Sequence, residues 1–159
     1  MIKINCKDVE QTKKLGAAIG RVLRGGEVFE LKSDLGGGKT TFTKGLAVGM
    51  GVADVVQSPT FTISFIHKAA RDLELHHFDF YRLQDAGIMN EELKESLNQP
   101  NTVVVIEWGD IVHKILPGDL ISVTLRVQND ESRDIEFEIP ENFDYITNAV
   151  KKFNNDSHN

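Results

Sequence analysis

Six residues, Leu35-Gly36-Gly37-Gly38-Lys39-Thr40, constrain this chain more than any other stretch of it. They follow a short apolar run, Val28, Phe29 and Leu31, that reads as a buried strand. They precede a stretch in which Phe42, Leu46 and Met50 recur at helical spacing. A strand, a glycine-rich turn and a helix opening on Lys-Thr make the frame of a phosphate-binding loop. Successive glycines let backbone N–H groups curl around phosphate oxygens without Cβ clashes, and the helix N-terminus adds partial positive charge. In that frame Lys39 reaches the β and γ phosphates, Thr40 offers its hydroxyl to Mg²⁺ and Thr41 contacts a further phosphate. The pattern G-x-x-x-x-G-K-[ST] begins on glycine, where this chain has Ser33, and serine makes that turn less freely.

Such a loop needs a second acidic group near the metal, at the carboxyl end of a neighbouring buried strand. Glu107 ends the apolar run VVVIE and occupies that position; without the loop it would read as an ordinary strand-end carboxylate facing water. Asp79 is the second candidate. In His76-His77-Phe78-Asp79-Phe80-Tyr81-Arg82 the strand period puts Phe78 and Phe80 on one face and Asp79 with His77 and Tyr81 on the other. An acid in an aromatic strand needs a partner, either a functional one or a structural one such as Arg82 or a backbone donor. His76 and His77 point to opposite faces and so cannot chelate one ion; packing or hydrogen bonding is their expected role. Ser58-Pro59-Thr60-Phe61-Thr62 is either a switch segment whose hydroxyls sense a γ-phosphate or a plain turn. Trp108 is either a core anchor or a platform against the nucleotide.

Around these motifs the pattern predicts an α/β chain: a helix from an Asp8 N-cap through Arg24, with Leu15, Ile19 and Val22 or Leu23 on one face, closed by Gly25 and Gly26. Gly49 and Gly51 mark the end of the helix that starts at Lys39. Strands are expected over 61–67 and 73–81, with KAARD as the hairpin, and a helix over 90–97. Residues 120–127 and 135–139 alternate and are expected to pair as an antiparallel edge. The fold class is therefore a three-layer domain with a mainly parallel central sheet and antiparallel C-terminal strands. At 159 residues one domain is expected, over 1–152, with an amphipathic last helix and a frayed polar tail at 153–159. Eighteen Lys and Arg against 24 Asp and Glu give a net charge of −6. That balance argues against unaided binding to nucleic acid or an anionic membrane. A lone Cys6, no signal-peptide segment and no membrane-length apolar run point to the cytoplasm.

Four segments in order, DLGGGKTTF at 34–42, SPTFT at 58–62, HHFDFYRL at 76–83 and IEW at 106–108, resemble the TsaE family, small bacterial ATPases of tRNA threonylcarbamoyladenosine modification. The resemblance covers most of the chain, and TKKLG at 12–16 is similar to the family's N-terminal helix. It implies a P-loop α/β fold, ATP and Mg²⁺ bound by residues 35–40, coordination completed by Glu107, and switch roles for Thr60 and Asp79. Ser132-Arg133 resembles a late position where an arginine approaches the nucleotide. TsaB and TsaD are the partner proteins it implies. The departures are Ser33, and Ser132 where glycine is usual. Two other classes remain beside this one, a P-loop small-molecule kinase and a non-hydrolytic nucleotide-gated binding module. Few arginines in the expected lid regions count against the kinase.

Overall fold

The structure is a computed structural model that describes residues 1–54, 56, 64–129 and 131–157. Among the described residues seven strands form the sheet: β1 (Ile2–Cys6), β2 (Val28–Lys32), β3 (Ser64–Lys68), β4 (Glu74–Asp79), β5 (Thr102–Glu107), β6 (Ile121–Val127) and β7 (Arg133–Glu138). Every residue of β5, TVVVIE, is buried, as a continuous apolar run requires of a strand covered on both faces. The strand order is β1-β7-β6-β2-β5-β4-β3. The centre, β6, β2, β5 and β4, is parallel, with Leu31 and Asp79 both aligned on Glu107. The flanks are antiparallel: β7 beside β6, β1 beside β7, and β3 beside β4.

Among the described residues four α-helices complete the layers: α1 (Val9–Gly20), α2 (Lys39–Met50), α3 (Met89–Leu97) and α4 (Asp144–Ser157). Leu15, Ile19, Phe42, Leu46, Ile146 and Val150 join Phe29, Leu31, Val105 and Phe137 in one core, which puts α1, α2 and α4 on one sheet face. Phe78, Phe80, Val104 and Ile106 pack with Leu93 of α3 and Val112 of the 3₁₀ segment Gly109–Ile115 on the other face. The expected three-layer α/β architecture is the observed one. No helix among the described residues is long and apolar enough to cross a membrane.

Several local features differ from the sequence reading, each for a physical reason. β7 is not the sheet edge, because β1 pairs outside it from Ile2 opposite Phe137 to Cys6 opposite Arg133. Asp8 does cap α1, accepting from the Gln11 amide at 2.8 Å. The helix nevertheless ends at Gly20 rather than Arg24, where the Arg71 guanidinium takes the carbonyls of Gly20, Arg21 and Leu23 at 2.9–3.1 Å. Gly49 is not a terminator but an interior residue of α2. Gly16 and Gly20 of α1 face Gly45 and Gly49 of α2 at backbone contact, and a Cβ at Gly49 would overlap the Ala17 carbonyl. Gly51, at φ +81°, is the C-cap. The residues expected to fray, 153–157, continue α4, since Phe153 extends the stripe of Ile146 and Val150 onto the core.

Candidate functional site

β2 delivers the chain to the carboxyl edge of the parallel strands, and Ser33–Gly38 turns it into α2. Gly36 at φ +77° and Gly38 at φ +100° hold left-handed conformations that a side chain would oppose. Helix α2 begins with no side-chain cap and no acid in its first turn, so its leading N–H groups face the loop without a side-chain acceptor. Lys39, only 7% exposed, curls back over the loop. Its ammonium donates to Ser33 Oγ at 2.8 Å and makes longer contacts with the Asp34 carbonyl at 3.4 Å and the Ser33 carbonyl at 3.5 Å. Thr40 and Thr41 are half-buried at the first turn, and Leu35 is exposed at the tip of the loop.

Glu107 and Asp79 are register partners at the ends of β5 and β4. Glu107 is buried, and its Oε1 has no hydrogen-bond partner among the described residues. Asp79 Oδ1 accepts from the Tyr81 amide at 2.9 Å, so its structural partner is a backbone donor and not Arg82. Burial, and secondarily the Glu107 carboxylate beside it, raise the Asp79 pKa above the usual carboxylate value against the opposing effect of the Tyr81 amide. Among the described residues neither acid forms an ion pair with Lys or Arg. Two neighbouring carboxylates with one unsatisfied oxygen and no Lys or Arg partner among the described residues suit a hard divalent ion. The described residues hold no cluster of three His, Cys, Asp or Glu suited to a metal, so any ion here must draw oxygen ligands from elsewhere, such as Thr40 and the phosphates themselves.

Arg133, the first residue of β7, reaches the loop from the far side. Its Nε would lie 2.8 Å from a Cβ on Gly38, and Nη1 donates to the Glu131 carbonyl at 3.1 Å. Nε itself is buried and has no hydrogen-bond partner among the described residues. Trp108 packs against the second core cluster, as a core anchor would, and its ring lies 4.9 Å from Lys39 Nζ. Its backbone is left-handed at φ 57°, a strained state for a tryptophan, and the Tyr81 ring packs against it tilted by 45°, with 4.8 Å between centroids. Thr60 and the whole of Ser58–Thr62 lie outside the described residues.

The sequence reading expected packing or hydrogen bonding from both His76 and His77. His76 is a satisfied structural residue, bonded to Ser96 Oγ and Glu74 Oε2 at 2.7 Å each. His77 is fully buried on the Asp79 face, its Nε2 is 3.7 Å from Glu107 Oε1, and neither ring nitrogen has a hydrogen-bond partner among the described residues. The signal was present in the Phe78/Phe80 alternation, which puts His77 and Asp79 on one face.

The family model described as Threonylcarbamoyl adenosine biosynthesis protein TsaE matches residues 6–135, a span that contains every one of these groups. The chain belongs to the TsaE family. TsaE proteins share 36% identity with it over 131 residues in Bacillus subtilis (80% of this chain, 79% of the relative) and 36% over 129 residues in Treponema pallidum (81% and 94%). The TsaE protein of a Nostoc species is 34% identical over 139 residues, 86% of this chain and 85% of its own. The crystal structure of Bacillus subtilis YdiB superposes with a TM-score of 0.78 at 27% identity, covering 95% of this chain and 94% of that one. The TsaE fold is thus P-loop NTPase-like here too, with the glycine loop, the paired acids and Arg133 at the carboxyl end of the parallel strands.

Proposed function

We propose that this chain is a cytoplasmic ATPase that binds ATP with Mg²⁺ and supports threonylcarbamoyladenosine modification of tRNA together with TsaB and TsaD proteins. The curated relatives are described as tRNA threonylcarbamoyladenosine biosynthesis proteins, which supports the pathway. One observation carries the nucleotide part: Lys39 is enclosed in a glycine loop at an uncapped helix N-terminus, beside two buried or half-buried acids with no Lys or Arg partner. The residues fit the group they would hold. The amides of residues 35–40 and the Lys39 ammonium would bind the phosphates, with Thr41 and Arg133 flanking them. Thr40 and Glu107 would hold Mg²⁺, which when bound neutralises charge on the phosphate oxygens. Asp79 would accept a hydrogen bond from the attacking water, and burial, which raises its pKa, makes its carboxylate the stronger base. Thr60 would sense the γ-phosphate. A net charge of −6 suits a helper that serves tRNA chemistry through protein partners rather than by gripping RNA.

The test is phosphate release from ATP as Mg²⁺ is titrated, with and without purified TsaB and TsaD. Slow Mg²⁺-dependent release, accelerated by the partners, is expected. Binding without release under both conditions would favour a nucleotide-gated binding module, and transfer to a small acceptor would favour a kinase.

A further inference from the structure

We propose that Ser33 is a positioning residue that holds Lys39 in the nucleotide-free protein, its hydroxyl standing where a phosphate oxygen would bind, so that it competes with nucleotide for the lysine. The inference rests on the nucleotide reading above and deepens it. An ammonium has three N–H donors and seeks charged or well-aligned acceptors for them. Here its one short bond is to Ser33 Oγ at 2.8 Å, while both carbonyl contacts are 3.4 Å or longer. The same hydroxyl donates to the Asp34 carbonyl at 2.8 Å, so its one proton is used inside the loop and it faces the lysine as an acceptor. The side chain points inward: a Cβ added at Gly37 would overlap both Ser33 Oγ and Ser33 Cβ. Glycine at 37 is therefore the complement of serine at 33. Among the described residues, a loop with glycine at 33 would leave the ammonium only the two long carbonyl contacts as hydrogen bonds, beside the Trp108 ring. A phosphate oxygen that takes the hydroxyl's place on Lys39 has to displace it, which weakens its apparent affinity by the population of the latched state.

The test is calorimetric titration of ADP, and of ATP with Mg²⁺, into the wild type, Ser33→Ala, Ser33→Gly, Lys39→Ala and the Ser33→Ala/Lys39→Ala double variant. Ser33→Ala keeps Cβ and removes only the hydroxyl, so it separates the latch from the backbone freedom glycine would add. Ser33→Ala and Ser33→Gly are both expected to tighten binding about tenfold, and the Ser33→Ala gain to vanish in the Lys39→Ala background. Unchanged or weaker binding by Ser33→Ala would overturn the latch, as would a gain that persists without Lys39. Gain by Ser33→Gly alone would overturn it in favour of a relaxed turn. Wild-type protein that binds neither nucleotide would overturn the nucleotide reading itself, a result distinguishable from all the others.

Discussion

Asp79 and Glu107 face each other across β4 and β5, and their division of labour can be measured. Glu107→Gln removes charge at nearly constant volume and should raise the Mg²⁺ concentration needed for hydrolysis several-fold, whereas Asp79→Asn should lower turnover with a smaller shift in Mg²⁺ dependence. A metal titration with the larger shift on Asp79→Asn would exchange the two assignments. Stability gives a second handle. Burial and the adjacent Glu107 raise the Asp79 pKa, so its ionised form disfavours the fold. That cost is absent below the ordinary carboxylate range and sets in as pH rises through the raised pKa. In metal-free buffer Asp79→Asn should therefore melt higher than wild type near neutral pH, with the gain fading as pH falls to about 4. An equal or lower melting temperature at neutral pH would contradict the unneutralised pair. Lys39, Thr40 and Glu107 were legible as residues because loop and strand-end motifs are local patterns. The Ser33–Lys39 bond and the approach of His77 to Glu107 were not, because they depend on rotamers and on neighbours six or thirty residues away.

Helices α1 and α2 approach to backbone contact along Gly16, Gly20, Gly45 and Gly49, and this fixes where α2 points its N-terminus. Gly49→Ala should cost about 2 kcal/mol through overlap with the Ala17 carbonyl, net of the helix propensity alanine returns. A melting temperature lower by roughly 4–8 °C is expected, while Val48→Ala, on the exposed face of the same helix, should change little. A Gly49→Ala protein as stable as wild type would show that the helices can separate without loss. Helix periodicity revealed α1, α2 and α3, but glycines at i and i+4 read equally as punctuation or as a contact surface. Only the partner helix decides which. The extent of α4 was missed for a related reason: a single Phe153 carries the last turns, and a polar sequence hides one anchor.

Across the whole molecule the parallel centre was readable from continuous apolar runs, since only strands covered on both faces tolerate them. The edges were not, because β1 meets β7 across more than 120 residues of chain and an alternating strand carries no mark of its neighbour. Sheet order matters for function: it aligns Leu31, Glu107 and Asp79 at one rim, and through the β6–β7 hairpin it brings Arg133 onto Gly38. The nucleotide assignment therefore depends on the whole sheet and stands or falls on Lys39. The affinity of Lys39→Ala for ATP with Mg²⁺, measured by calorimetry beside wild type on samples of matched melting temperature, tests it most directly. Loss of Lys39 removes a charge held over the glycine loop by loop oxygens and the Trp108 ring, so binding should weaken by at least about tenfold with the fold intact. Equal affinity in the two proteins would mean that this loop does not hold the phosphates.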